Sequence, residues 1–204
     1  MRLNANAIIT LSEANTYLGI DDGEGTNDDF LKTLINNVSS EIETFIRGPV
    51  VVQSFTETYD GNGRSLLYLR QKPVISLATP DKSDIQHRIN PLSGWIDLVP
   101  AVTNVLVSES EPFGFSLYCY GFPYGCQNIQ IKYKAGYVVV PGEIKTVCTE
   151  KVAENFKRSG KGGGRLGLTT ISSTTGVGGT GNTGYYSLSK EHMSRLLAFV
   201  MPVE

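Results

Sequence analysis

The sequence predicts an α+β fold: a small helical bundle with an inserted antiparallel β lobe and a flexible C-terminal arm that ends in a helix. Three observations support this class. Apolar residues recur at helical spacing on both sides of a central region. That region, residues 50–138, consists of short segments rich in β-branched and aromatic residues, separated by turn signals. A run rich in Gly, Ser and Thr follows Arg158 and precedes a last segment with helical spacing.

Two helices open the chain. Thr10 and Glu13 give the T-x-x-E pattern of a capping box, so a short helix is expected to begin after Thr10 and to end at Gly19. A longer helix is predicted from about Asp28 to Arg47. Its apolar positions keep helical spacing and define one buried face, formed by Phe30, Leu31, Leu34, Ile35, Val38, Ile42, Phe45 and Ile46.

The central region is predicted to fold as a succession of strands. TETYDGNGRSLLYLR, residues 56–70, is typical of strand, tight turn and strand, because Gly and Asn supply the positive φ that the turn requires. Residues 80–100 are expected to form a loop with a short hairpin around Trp95. VTNVLVS, GFSLYCYG and NIQIKYKAGY supply three further strands. The aromatic residues of this region are expected to pack on one face of a sheet: Tyr118, Tyr120, Phe122, Tyr124, Tyr133 and Tyr137.

A third helix begins near Pro141 and places Cys148 at a core position, on an apolar face shared with Ile144, Val147, Val152 and Phe156. A last helix is predicted from about Ser189 to Val200. The expected organisation therefore has four parts: a helical core (residues 1–49 and 139–158), a β-rich insert (50–138), a Gly/Ser/Thr-rich arm (159–187) and a C-terminal helix (188–204).

Composition and charge exclude several classes of protein. The 204 residues carry 18 Lys and Arg against 20 Asp and Glu, a formal net charge of −2, which argues against a protein that grips nucleic acid through overall basicity. No apolar run approaches the roughly 18 residues that a membrane span needs, so no membrane partner is expected. The three cysteines form no metal pattern with the two histidines. They are expected to be reduced, although Cys119 and Cys126 could face each other across a hairpin.

Residues 176–184 contain two overlapping matches to G-x-G-x-x-G. A dinucleotide site needs a hydrophobic strand directly before the first glycine. Here the preceding residues 159–175 are polar and low in complexity, so the glycines indicate a pliable arm. No cofactor of any kind is expected.

Side chains for catalysis are present but scattered. His87 and His192 lie in no nucleophile motif and are interpreted as exposed side chains. Asp81, Asp84 and Asp97 fall in predicted loops and are interpreted as surface carboxylates. A hydrolase that uses these carboxylates remains a third hypothesis, and we expect no enzymatic activity.

Lys157, Arg158, Lys161 and Arg165 form a basic run without an intervening acidic residue. Such a run is either a solvated helix end or a basic strap that docks on an acidic partner surface or a phosphate backbone. Both interpretations stay open.

The order of features from residue 8 to residue 158 resembles the head–tail connector (adaptor, or head-completion) proteins of tailed bacteriophages. Six segments carry the resemblance, in chain order: Ile-Thr-Leu-Ser-Glu-Ala with Tyr-Leu-Gly-Ile, the long helix ending in Arg-Gly, Thr-Glu-Thr-Tyr-Asp-Gly-Asn-Gly, Leu-Leu-Tyr-Leu with Lys-Pro-Val, Ile-Gln-Ile-Lys-Tyr-Lys-Ala-Gly-Tyr, and Val-Pro-Gly-Glu-Ile-Lys.

The resemblance implies a structural virion protein, made in the host cytoplasm and located at the capsid vertex. Its copies would form a ring, usually a dodecamer, between the portal protein above and tail or head-completion proteins below. The ring would continue the DNA channel and help to retain the packaged genome without sequence-specific binding. The resemblance also implies portal attachment through the C-terminal region, at Lys157, Arg158, Lys161, Arg165, Tyr185, Tyr186, Leu196 and Phe199.

The tyrosines and Trp95 of the β lobe suggest an alternative. The lobe would then be a ligand-binding module, for example for a glycan, mounted on a helical base.

Overall fold

Helices and antiparallel sheets occupy separate parts of the chain, which confirms the predicted α+β class. The computed structural model describes residues 2–20, 25, 27–77, 84–90, 92–98, 105–107, 114–117, 121–159 and 188–200. Within these ranges the elements are α1 (Leu11–Leu18), α2 (Asp28–Ile46), β1 (Gln53–Gly61), β2 (Leu66–Tyr68), β3 (Val74–Leu77), β4 (Ile85–His87), β5 (Ile96–Asp97), β6 (Val105–Val107), β7 (Gly114–Leu117), β8 (Gly125–Ala135), α3 (Gly142–Arg158) and α4 (Lys190–Leu196), which a 3-10 turn (Leu197–Phe199) extends.

The chain divides into two compact units. The helical unit comprises Met1–Arg47 and Val140–Pro202, and the β unit comprises Gly48–Val139. The four helices above belong to the first unit and the eight strands to the second. The predicted arm, residues 159–187, lies outside the described residues apart from Ser159.

The short first helix forms as its capping box predicts. The Glu13 backbone N–H donates to the Thr10 hydroxyl at 3.2 Å, and the Thr10 backbone N–H donates to the Glu13 carboxylate at 2.7 Å. Gly19 ends the helix in the left-handed region with φ 68°, a conformation that costs glycine little. The backbone hydrogen bond from Thr10 lowers the pKa of Glu13, and Lys145 contributes further.

The apolar faces of α2 and α3 form the core of the helical unit. Leu31, Ile35 and Ile42 of α2 are fully buried, as are Ile144 and Cys148 of α3. The periodic pattern therefore identified these core positions correctly. The predicted end of α2 was one residue late. Arg47 adopts a left-handed conformation with φ 65° and caps the helix.

The strands form two antiparallel sheets, and the long strand β8 lies at the centre of the larger one. The larger sheet has the order β1-β8-β4-β5, with β3 also paired to β8, and the smaller has the order β2-β7-β6. Alternate residues of β8 point to one face, which is buried. The core of this unit contains Tyr59, Leu67, Leu69, Val74, Ile85, Phe122, Ile129, Ile131, Tyr133 and Ala135.

The predicted strand, tight turn and strand over residues 56–70 form, with Gly63 at φ 69°, but the two strands do not pair with each other. β1 pairs with β8, from Gln53 opposite Ala135 to Gly61 opposite Gly125, whereas β2 pairs with β7. The turn residues instead lead the chain from one sheet to the other. A Cβ on Gly61 would lie 1.6 Å from the Pro123 carbonyl oxygen, so only glycine fits at this point.

The short hairpin next to Trp95 is confirmed, because β4 pairs with β5 through Gln86 opposite Asp97. The expectation for the aromatic residues holds only in part. Phe122 and Tyr133 are buried in the core, while Tyr124 is 89% exposed. Tyr118 and Tyr120 lie outside the described residues.

Candidate functional site

The residues proposed for portal contact fall around the ends of α3 and α4. Lys157 and Arg158 form the last turn of α3. Leu196 is the last residue of α4, and Phe199 ends the 3-10 turn that follows. Lys161, Arg165, Tyr185 and Tyr186 lie outside the described residues.

Helix α4 contacts α3 through charged side chains. Leu188 and Leu196 are buried, at 2% and 0% exposure. The Arg195 guanidinium contacts Glu150 at 2.7 Å and Glu143 at 3.1 Å. The hydrogen bond to Glu143 and the contacts with Glu150 raise the pKa of Arg195 above its ordinary value. Because Leu196 is buried in the single chain, it anchors α4 rather than exposing an apolar surface.

The prediction that His192 is solvated is wrong. Its side chain is only 12% exposed, and Nε2 lies 3.5 Å from the Glu150 carboxylate. The physical reason is the position of α4, which turns this side of the helix towards α3. His192 also closes the first turn of α4, because its backbone N–H donates to the Ser189 hydroxyl at 3.1 Å.

The basic run begins at a helix end whose charge is partly balanced. Glu154 pairs with Arg158 one turn later and with Lys151 at 3.0 Å. Lys157 points to solvent and makes no ion pair with any residue that the structure describes. In the described part of the run, Lys157 is therefore the cation open to a partner.

A cluster of ionisable side chains that the sequence analysis did not identify lies in the β unit, with two buried tyrosines and a half-buried glutamate. The Glu57 carboxylate accepts hydrogen bonds from the hydroxyls of Tyr133, at 2.6 Å, and of Tyr59. The two hydroxyls also accept backbone N–H groups, Tyr59 from Arg70 at 3.0 Å and Tyr133 from Gln71 at 3.1 Å. The cluster thus fastens the chain after β2 to strands β1 and β8.

The chemistry of this cluster is structural. Burial, followed by the hydrogen bond to Glu57, raises the pKa of both Tyr59 and Tyr133 well above the ordinary tyrosine value. Both phenols are therefore protonated at neutral pH, as their hydrogen bonds to the Glu57 carboxylate require. One sequence signal points to the cluster: Glu57 falls at an inward position in the alternation Phe55, Glu57, Tyr59.

Three of the four residues of the hydrolase hypothesis lie in or directly beside strands β4 and β5. His87 lies half-buried in β4, and its Nδ1 atom is buried with no hydrogen-bond partner among the residues that the structure describes. Asp84 is 2% exposed, so the expectation of exposure is wrong for both residues. β4 pairs with the central strand β8, which draws the two inwards. Asp97 accepts from Gln86 at 2.9 Å, and Asp81 lies outside the described residues.

One face of the Trp95 ring is covered by a cation. The Arg88 guanidinium stacks over it at 4.7 Å from the ring centroid, and Arg88 Nε also donates to the Gln127 carbonyl at 2.9 Å. The cation occupies a ring face on which a sugar could otherwise stack. With Tyr133 in the core, the described part of the β unit offers little to the glycan-binding alternative.

The described thiols are free and protonated. Burial raises the pKa of the Cys148 thiol to about 12, and a hydrogen bond to Asp60 raises the pKa of the exposed Cys126 thiol. Cys119 lies outside the described residues. Across the described ranges, no group of three or more His, Cys, Asp and Glu side chains is placed to hold a metal ion. None of the described helices has the length and apolar character needed to cross a membrane.

Comparison with known proteins shows what the fold resembles. No protein-family model and no curated protein sequence matches the chain. Among solved structures, the chain matches over its whole length a chain from the neck of an empty GTA particle, computed with C6 symmetry. The TM-score is 0.62 at 12% sequence identity, covering 95% of that chain.

A second solved structure gives the same result. A chain of the virion of the native gene transfer agent (GTA) particle matches with a TM-score of 0.60 at 11% identity, over 100% of this chain and 94% of that one. The protein therefore shares a complete fold with a chain of a particle neck. At the level of the fold, this agrees with the resemblance drawn from the sequence.

Proposed function

We propose that the protein is a structural component of the neck of a tailed-phage-like particle, where its copies form a ring beneath the portal and connect the capsid to the tail. The observation that carries the proposal is the full-length fold similarity to a chain of a GTA particle neck. The order of sequence segments that resembles head–tail connectors supports it independently, since that resemblance rests on residues and not on the fold.

A closed ring suits the surface of the β unit. Rings require heterologous interfaces, in which two different patches of each copy meet. Large exposed apolar side chains mark surfaces of this kind, and Ile89 and Leu92 are 79% and 99% exposed. The sixfold symmetry applied to the similar neck is compatible with a dodecamer of this chain, because a twelve-membered ring contains a sixfold axis.

The parts of the chain receive the following roles in this proposal. The helical core (1–49 and 139–158) and the β-rich insert (50–138) build the body of the ring. The arm (159–187) and the C-terminal helix (188–204) reach the portal. Contacts there come from Lys157, Arg158, Lys161, Arg165, Tyr185, Tyr186 and Phe199, with Leu196 as the internal anchor of α4. Exposed Lys157 and the ionic attachment of α4 to α3 support this assignment.

The proposed ring continues the DNA channel and helps to retain the packaged genome. A net charge of −2 suits a wall that DNA slides past without being held. Tail or head-completion proteins would dock below the ring. The role is structural, at the capsid vertex of the virion, and calls for no cofactor.

Electron microscopy of the purified full-length chain, alone and mixed with a candidate portal protein, tests the proposal. We expect rings of defined symmetry that stack on the portal. Lys157→Glu should weaken the association with the portal, whereas Lys32→Glu, a control with its own ion pair on α2, should not. A chain that stays monomeric at high concentration and binds no portal protein tested would contradict the proposal.

A further inference from the structure

The face of the larger sheet that points away from the core is polar. Alternate residues of β8 are buried in the core of the β unit, so the residues between them point to the opposite face. Residues that lie directly opposite each other in paired strands share a face, and the register extends this face onto β1, β3 and β4. We call the following half-buried or exposed residues the outer sheet face: Gln130, Lys132 and Lys134 of β8, Ser54, Thr56 and Thr58 of β1, Ser76 of β3 and Gln86 of β4.

Two lysines carry the charge of the outer sheet face. Lys134 lies between Ser54 and Ser76 on the neighbouring strands, and Lys132 lies opposite Thr56. Being two residues apart in one strand, the lysines have Cα atoms separated by about 7 Å. Neither ammonium group forms an ion pair with any residue that the structure describes. The two positive charges therefore stand side by side without a counter-charge from the described chain.

The carboxylates nearest to the outer sheet face are engaged elsewhere. Asp97, on the edge strand β5, accepts the Gln86 amide at 2.9 Å. Asp60, at the end of β1, accepts the Gln127 backbone N–H. Asp84, which directly precedes β4, is only 2% exposed, so its carboxylate does not lie at the surface. The outer sheet face is thus locally positive although the whole chain has a net charge of −2.

The composition of the outer sheet face favours phosphate over a protein surface as its partner. Lys, Ser, Thr and Gln side chains are among those that contact phosphate oxygens in complexes with DNA. Protein interfaces are instead enriched in aromatic residues, Met and Arg, and are depleted in Lys and Ser. The residues that define the outer sheet face include two lysines, four hydroxyl side chains or more in number than any other kind, and no aromatic or aliphatic side chain.

We infer that the outer sheet face contacts the phosphate backbone of duplex DNA through Lys132, Lys134 and the hydroxyl groups beside them. The inference rests on the proposed ring and names the surface that faces its DNA channel. Lysine is a point charge on a flexible stem, and contacts to phosphate carry no sequence information. Electrostatic contacts of this kind also let a protein and DNA slide past each other, as a channel wall requires.

The number of lysines fixes the strength of the contact. If one copy neutralises two phosphates, the logarithm of the affinity falls with the logarithm of the salt concentration with a slope of about −1.8. One copy would then lose roughly tenfold in affinity between 50 and 200 mM salt. The contact is therefore weak in a single copy and is multiplied by the copies of a ring.

Lysine acetylation of the full-length chain, read by mass spectrometry at low salt, tests the contact. A short DNA duplex of mixed sequence should slow the acetylation of Lys132 and Lys134 severalfold. Lys32 and Lys145 are internal controls, because each has its own ion pair in the helical unit, and the duplex should not change their rates. Polyglutamate replaces the duplex in a second arm. Protection of the two β8 lysines by polyglutamate alone would assign the face to an acidic protein, and protection by neither would also overturn the inference.

Charge-matched variants test the same contact by fluorescence anisotropy with a labelled duplex. Lys132→Gln combined with Lys134→Gln should weaken binding about tenfold or more at 50 mM salt and should reduce the salt slope by about 1.8 for each copy that contacts the duplex. Replacing both lysines by arginine keeps the charge and should keep the slope. Lys32→Gln combined with Lys145→Gln removes the same charge elsewhere. Equal effects of the two glutamine pairs would overturn the inference, and circular dichroism should match the parent chain in every variant.

Electron microscopy of the same samples separates this contact from the proposed function. Rings whose β8 lysines are not protected by the duplex overturn the contact and leave the proposed function standing. Protection of these lysines in a chain that forms no rings and binds no portal protein supports the contact and contradicts the proposed ring.

Discussion

Replacing Tyr133 by phenylalanine removes one oxygen atom from the buried cluster that joins Glu57 to the chain after β2. That oxygen donates to the Glu57 carboxylate at 2.6 Å and accepts the Gln71 N–H at 3.1 Å. The ring itself is fully buried and packs on Phe55, with 5.8 Å between centroids. Phenylalanine keeps this packing, so the substitution isolates the hydrogen bonds from the apolar core.

The expected loss of stability is about 2–3 kcal/mol. A hydrogen bond to a charged group contributes roughly 1.5–3 kcal/mol, and a buried N–H left without an acceptor costs about 1 kcal/mol or more. Glu57 keeps the Tyr59 hydroxyl as a donor, which limits the penalty on the carboxylate. The expected loss is therefore placed at the lower end of the combined range.

Urea unfolding followed by fluorescence measures this loss in the correct part of the chain, because Trp95 is the single tryptophan and lies in the β unit. Tyr124→Phe is the matched control. Its side chain is 89% exposed, so its free energy of unfolding should stay within about 0.5 kcal/mol of the parent. A change below about 0.5 kcal/mol for Tyr133→Phe as well would refute the view that the cluster fastens the β unit.

Three further results are expected. The pKa of Tyr133 is raised in the folded state, so the stability that this group contributes is fully present below the unfolded pKa near 10 and is lost as the pH rises beyond it, by at most about 1.4 kcal/mol per pH unit. Above pH 10 the free energy of unfolding should therefore depend less on pH in Tyr133→Phe than in the parent chain. Equal pH slopes for the two proteins would contradict this cause. Arg195→Gln removes the guanidinium that contacts Glu150 and Glu143, so amide exchange in α4 should quicken severalfold while α2 stays protected. Unchanged protection of α4 would mean that the buried leucines alone hold this helix. Gly61→Ala places a methyl group on a carbonyl oxygen and should lower the free energy of unfolding by more than about 3 kcal/mol, whereas the methyl group of Gly94→Ala meets nothing within 4 Å and should change it little. Similar thermal midpoints for the two variants would show that the turn at Gly61 relaxes.

The helices could be predicted closely because their signals are local. A periodic apolar face and a capping box involve residues within one or two turns, and both survive in the structure at Thr10 and Cys148. The same reasoning could not explain two polar residues on the buried side of α2. Asn36 accepts the Asn4 N–H at 2.9 Å, and Ser39 accepts the Ile8 N–H at 3.1 Å. These partners lie more than 30 residues away in the chain, so no local spacing in the sequence predicts the hydrogen bonds.

The β unit shows where local turn chemistry is insufficient. The Asp-Gly-Asn-Gly segment has the composition of a hairpin turn, yet β1 pairs with β8, some 70 residues further along. β8 has eleven residues, with apolar side chains alternating along one face. Its backbone pairs with β1, β3 and β4. The long strand therefore determines the pairing of its neighbours. Asn62 serves the turn instead, because its side chain accepts the Arg64 N–H at 2.9 Å.

The candidate site was the least predictable part, and the reason is physical. Burial imposes a period on the sequence, whereas a surface that contacts another molecule imposes none. Leu92 and Leu196 are both leucines in short segments near turns, yet one is 99% exposed and the other 0%. What separates them is the environment: Leu196 packs in a helical unit that Arg195 helps to hold together, and Leu92 projects from a turn fixed by Asn90. An exposed leucine has a desolvation gain that only contact with another molecule would realise, and no local pattern in the sequence identifies that molecule.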